Sequence, residues 1–201
     1  MSPRDIAFHR QLLALCAEAY NAPADLKAGD AFVTVRKIPG GWVYAWRGSH
    51  SVEDWLTDFR VNEAPSPELG CAVHAGFGAD LSALYPLLAA DLAARTGDIW
   101  FGGHSKGGAD AILNAATVRR SGRPLSGLVT FGAPAVTPSL VVGGLLADTC
   151  QTHYRSGADV VPTLPPFWQH PTALTPIGHD WRPIEAHLIQ AYDSALQELS
   201  P

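Results

Sequence analysis

Charge is scarce in this chain: charged residues make up 16% of 201, against 47% hydrophobic. The formal net charge is −5, and no Lys/Arg cluster exists beyond Arg119-Arg120, which argues against a nucleic-acid partner. Those two arginines read instead as cations at a helix C-terminus, with Ser121-Gly122 as the stop. Long apolar runs are also lacking. No stretch approaches the roughly 18 consecutive apolar residues of a membrane-spanning helix, which excludes that kind of segment. Met1-Ser2-Pro3-Arg4-Asp5 is not followed by an unbroken apolar core, so the start does not read as a signal peptide. Cysteine is sparse: Cys16, Cys71 and Cys150 are odd in number, widely spaced and without a C-x-x-C. That pattern argues against a disulfide framework, predicts buried free thiols and favours a cytoplasmic location. Internal repeats and low-complexity tails are absent, and the length predicts one domain over 1–201 with a full core.

What is present is an alternation of strand and helix signals. Residues 4–20 carry Ile6, Leu12, Leu13, Cys16 and Tyr20 at helical spacing. Phe32 to Ile38 and Trp42 to Arg47 flank Pro39-Gly40-Gly41, the pattern of a β-hairpin. A Pro-rich connection from Ala64 to Gly70 leads to a helix over about Gly78 to Arg95. Strand Asp98 to Gly102, a helix to about Arg120, strand Leu125 to Phe131, a crossover with a short helix, and strand Thr149 to Arg155 follow. An irregular stretch from Asp159 to Asp180 holds five prolines, and a last helix runs over about Ile184 to Leu199. Early hairpin strands followed by β-α-β-α alternation predict an α/β domain with a mostly parallel sheet.

Five residues stand out in it: Gly103-His104-Ser105-Lys106-Gly107, directly after the apolar run Ile99-Trp100-Phe101. A G-x-S-x-G between strand and helix is the pattern of a nucleophile elbow. The turn is so tight that the serine takes a strained conformation and side chains two before and two after it clash, hence glycine at both places. The helix that follows points its free N–H groups and positive dipole end at the serine.

A serine hydroxyl needs a base to take its proton, and an imidazole works best when a carboxylate fixes its tautomer. In this kind of fold those partners follow the serine in the order acid, then histidine. Asp159 stands just past the strand Thr149 to Arg155, where a triad acid belongs; Asp148 and Asp180 are its rivals. Four histidines follow the elbow. His153 lies mid-strand, His170 and His179 lie in the Pro-rich stretch, and His187 opens the last helix. Arrival from the final element favours His187 as the base.

Several segments together resemble the class 3, fungal-type lipase family of α/β-hydrolases. Trp46-Arg47-Gly48-Ser49 with Asp54-Trp55-Leu56-Thr57-Asp58-Phe59 is similar to its F-R-G-S/T and D-W-L-x-D stretch. Val73-His74-Ala75-Gly76-Phe77 and Thr130-Phe131-Gly132-Ala133-Pro134 resemble its V-H-x-G-F and F-G-x-P. Phe101 to Gly108 resembles its elbow, Asp159 to Pro166 its D-x-V-P-x-L-P-P, and Ala186-His187 with Tyr192 its late histidine segment. The resemblance runs in order from about residue 31 to 193. It implies an α/β-hydrolase fold and a lipase or esterase using a Ser105-Asp159-His187 triad through an acyl-enzyme, without cofactor or metal. His170 would be structural. Oxyanion donors would be the backbone N–H groups of Lys106 and Ser49. A thioesterase or phospholipase with the same triad, and a non-catalytic binding domain keeping the fold, are the other readings.

Two departures from the family pattern matter. Lys106 stands where the family carries an apolar residue, and reads as pairing with Asp110 on the helix surface or as facing the cleft. The segment 50–64 occupies the place of the family's lid. Val52, Trp55, Leu56 and Phe59 fall on one helical face there, suited to transient contact with a lipid interface or to fixed packing. The implied partner is a small-molecule ester or lipid, with no obligate protein partner. Phe167, Trp168 and Trp181 are candidates to line an acyl pocket.

Overall fold

The computed structural model describes residues 3–49 and 61–199. Its strands are, in chain order, β1 (Leu26–Ala28), β2 (Ala31–Ile38), β3 (Gly41–Trp46), β4 (Glu63–Ser66), β5 (Cys71–His74), β6 (Asp98–His104), β7 (Gly127–Phe131), β8 (Gln151–Ser156) and β9 (Thr175–Ile177). The expected hairpin is formed by β2 and β3, with Ile38 opposite Gly41 and a two-residue turn between them. Pro39 presets its own φ, and Gly40 supplies the φ of +85° that the turn needs.

Seven strands form one sheet in the order β1-β2-β3-β6-β7-β8-β9. The first two pairings are antiparallel, and the four from β3 to β9 are parallel. Two segments read from sequence as irregular contain strands. Pro65 lies within β4, which pairs only with β5 in a separate two-stranded sheet, and Pro176 is the middle of the edge strand β9. Proline is tolerated at such edges because an outward-facing amide is not needed. Both strands are also too short for alternation to reveal them.

The helices are α1 (Pro3–Glu18), α2 (Ala75–Ala93), α3 (Lys106–Arg120), α4 (Val141–Leu145) and α5 (Ile189–Glu198). Side-chain alternation along the strands builds two cores. Tyr44, Trp46, Phe101 and Leu128 face α2, α3 and α4, whereas Val43, Ala45, Val129 and Phe131 face α1 and α5. α3 is buried at every residue from Gly107 to Val118, which explains its small side chains. It ends as its sequence predicts: Gly122 at φ +85°, with Gly122 N bonded to Arg119 O and Arg123 N to Val118 O. Among the described residues no helix is long and apolar enough to cross a membrane. All three cysteines are free, but only Cys16 is buried; Cys71 is half-buried and Cys150 exposed, because Cys150 precedes β8 in a surface turn. Burial pushes the Cys16 thiol up to about 12.

Candidate active site

Ser105 sits at the C-terminal end of β6 with φ 58° and ψ −133°, a left-handed conformation that a serine adopts only under constraint. The constraint is packing. A Cβ on Gly103 would lie 2.2 Å from the carbonyl oxygen of Gly107, as expected of the glycine two before the serine. The second glycine answers to a different neighbour. A Cβ on Gly107 would lie 2.4 Å from the carbonyl oxygen of Trp46, at the end of β3. The first turn of α3 is thus pressed onto the backbone that leads to Ser49. From the other side, a Cβ on Gly48 would come 2.6 Å from His104 O and 3.1 Å from Ser105 Cβ. The elbow and the Arg47-Gly48-Ser49 segment are therefore in direct contact.

Asp159 and His187 meet as a fully buried pair, each with no exposed side-chain area, at 2.8 Å between Oδ2 and Nδ1. Asp159 follows β8 through Gly157 (φ +44°), and its Oδ1 accepts the Val161 amide at 2.9 Å at the start of a 3-10 turn, Val161–Thr163. The Tyr192 hydroxyl donates to the same Oδ2 at 2.5 Å. Burial, with Asp159 next to it, raises the Tyr192 pKa well above the phenol range, so Tyr192 stays a donor. His187 does not open the last helix. It ends a separate 3-10 turn, Glu185–His187, and Leu188 at ψ 142° breaks the chain before α5 begins. With Nδ1–H committed to the carboxylate, His187 presents Nε2 as the basic nitrogen, and that atom has no hydrogen-bond partner among the described residues.

The pair is placed beside Ser105 by two connections. Ser105 N donates to Phe131 O at 2.9 Å, and the next residue, Gly132 at φ +65°, leaves no room for a Cβ, which would be 2.9 Å from His187 Cε1. His104 packs its ring 4.9 Å from that of His187 and donates from Nε2 to the His187 carbonyl at 2.8 Å. Its Nδ1 accepts from Tyr20 OH, also at 2.8 Å. Burial, with His187 adjacent, pushes His104 down to about 3, so it stays neutral in this role.

The rival candidates lie elsewhere. Asp148 is exposed, and Asp180 pairs with Arg182. His153 is buried between Thr130 and Gln151, His170 donates to the Pro162 carbonyl at 2.7 Å, and His179 is exposed. Phe167 and Trp181 are 97% and 80% exposed and do not line an enclosed pocket, whereas Trp168 is half-buried, edge-on to His74. The lid residues Val52, Trp55, Leu56 and Phe59 lie outside the described residues. Among the described residues no group of three or more His, Cys, Asp or Glu is placed to hold a metal ion.

Lys106 pairs with Asp110, as its spacing suggested, but not in the surface setting of that reading. Its ammonium is not at a helix surface but 14% exposed, bonded to Asp110 Oδ2 (2.8 Å), Asp80 Oδ2 (2.6 Å) and Asp30 O (3.2 Å). Burial opposes its charge, but the two carboxylates outweigh it and raise its pKa. Sequence reasoning missed Asp80, Tyr20 and the role of His104. For Asp80 a signal existed: it interrupts the buried stripe Phe77, Leu81, Leu84, Leu88 of α2.

The chain is similar to several known proteins. A secreted mono- and diacylglycerol lipase from Fusarium solani is 35% identical over 132 residues, a match spanning 62% of this chain and 39% of that protein. The triacylglyceride lipase of Rhizomucor miehei superposes with a TM-score of 0.72 at 22% identity, covering 89% of this chain and 81% of its own. A nonglycosylated Yarrowia lipolytica lipase gives a TM-score of 0.69 at 19% identity, covering 90% and 81%. These two likenesses establish the α/β-hydrolase fold. Residues 43–168, more than half of the sequence, match the family model for lipase, class 3, and the chain belongs to that family.

Proposed function

We propose that this chain is a serine carboxylic-ester hydrolase acting through an acyl-enzyme on a lipid or other small-molecule ester. The observation that carries the reading is the buried Asp159–His187 pair, with Nε2 unpartnered, packed beside the strained Ser105. Ser105 Oγ attacks the ester carbonyl while His187 takes its proton. The carbonyl π electrons move onto oxygen, where the N–H groups of Lys106 and Ser49 receive the charge, worth roughly 3 kcal/mol per donor. As the intermediate collapses, His187 returns the proton to the departing alkoxide. Water, deprotonated by the same imidazole, then cleaves the acyl-enzyme. Asp159 holds the imidazole tautomer and balances its transient charge. The Fusarium relative supports acylglycerols as the substrate class, and the segment 50–64 would meet the lipid interface.

Hydrolysis of p-nitrophenyl esters from acetate to palmitate tests this. Ser105→Ala and His187→Ala are each expected to lower kcat by about three orders of magnitude or more. If His187→Ala keeps near-full activity while His170→Ala or His179→Ala does not, the base is misassigned. A wild type with no turnover and no fluorophosphonate labelling leaves a non-catalytic binding domain as the reading.

A further inference from the structure

The Lys106 cluster is built at a cost that stability does not explain. An ammonium and a carboxylate that is only 1% exposed lie under the first turn of α3, and Asp110 Oδ1 has no hydrogen-bond partner among the described residues. Buried ion pairs of this kind are commonly replaceable by apolar residues without loss of stability. Their geometry, in contrast, is hard to replace. The ammonium has three N–H donors and three acceptors, each on a different segment: Asp110 on α3, Asp80 on α2 and the Asp30 carbonyl in the β1–β2 turn. Asp80 is itself tied to that turn, since its Oδ1 accepts the Asp30 amide at 3.0 Å. The end of a long flexible side chain is thereby held by three separate segments.

We infer that Lys106 is a positioning residue for the oxyanion hole: its side chain, anchored to Asp80, Asp110 and the Asp30 carbonyl, fixes the direction of its own backbone N–H. The inference rests on the ester-hydrolase reading above. A helix's first turn has no intrahelical acceptors for its amides and frays most easily, so a donor placed there benefits from an anchor outside the helix.

The test compares Lys106→Met and Asp80→Asn with wild type, well below each variant's Tm. Fluorophosphonate labelling counts reactive Ser105, p-nitrophenyl butyrate gives kcat and KM, and an alkylboronic acid mimics the tetrahedral adduct. The expectation for Lys106→Met is full labelling, kcat down about tenfold, KM within about twofold, and boronate affinity reduced in proportion to kcat. Asp80→Asn keeps the shape and weakens the anchor, and about a threefold loss in both kcat and boronate affinity is expected. If Lys106→Met does not fold, Asp80→Asn decides on the same two quantities. A folded variant with lower Tm but unchanged kcat and boronate affinity overturns the proposal and leaves the cluster as packing. A wild type that neither labels nor turns over overturns the hydrolase reading itself, and this inference with it.

Discussion

Asp159 has three hydrogen-bond partners in a fully buried position: His187 and Tyr192 on one oxygen, the Val161 amide on the other. Each donor stabilises the carboxylate charge. Tyr192→Phe removes one donor. That leaves the buried carboxylate with one donor fewer to hold it against the imidazole, and kcat for ester hydrolysis is expected to fall several-fold with KM within about twofold. A folded Tyr192→Phe protein with unchanged kcat contradicts this. The same substitution takes an acceptor from the Ser156 amide, so a small loss of stability accompanies it. Tyr20 acts one step further out. Tyr20→Phe leaves His104 Nδ1 without its donor in a buried site and is expected to cost about 1–2 kcal/mol in urea unfolding.

At the scale of elements, glycines in different roles respond differently to the same change. Gly107 is where α3 is pressed against the end of β3, and its missing Cβ is what lets the two approach. Gly107→Ala cannot be relieved by a rotamer change, because the obstacle is the Trp46 carbonyl. Loss of soluble protein, or at least about 3 kcal/mol of stability, is expected. Gly122 instead ends α3 at φ +85° with open space around it. Gly122→Ala pays only the left-handed backbone penalty of about 1 kcal/mol and should leave ester hydrolysis intact. Equal unfolding free energies for the two variants would refute the assignment of the first to packing.

Over the whole molecule, two buried neutral histidines set the response to acid. Burial pushes His104 and His153 each down to about 3, with a neighbouring histidine adding to the effect. Unfolded, each titrates near 6.5, so the unfolded chain binds more protons between 6.5 and 3. Their stability contribution is present above 6.5 and is lost as pH falls through that window, by about 2 kcal/mol each at pH 5. Asp110 has the opposite sign. Burial pushes it up to about 6, so the folded state binds its proton first and stability is gained as pH falls from 6 toward 4. The histidines are larger in sum, and unfolding midpoints in urea should drop from pH 7 to pH 5. His153→Gln should remove most of that drop, because Asp110 then offsets much of what His104 alone contributes, and Asp110→Asn should steepen it. A midpoint that rises on acidification refutes the balance.

The local pattern of the chain was sufficient for much of this. Hairpin chemistry at Pro39-Gly40, the strand–turn–helix around Ser105, and the helix stop at Ser121-Gly122 are short-range features. Steric and hydrogen-bond rules acting within a few residues decide them. The order of acid and base along the chain, with the late motifs, pointed to Asp159 and His187. What lay beyond reach was every contact whose partners are far apart in sequence but packed by the sheet. Asp80 on Lys106, Tyr20 on His104, and the Trp46 carbonyl against Gly107 are of this kind. Burial changed the setting of one reading: Lys106 and Asp110 pair as their spacing suggested, yet α3 is covered on both sides by α2, α4 and the strands. Spacing along a helix fixes which side chains share a face; only the packed fold decides whether that face meets water, and with it the strength and the consequence of every charge placed there.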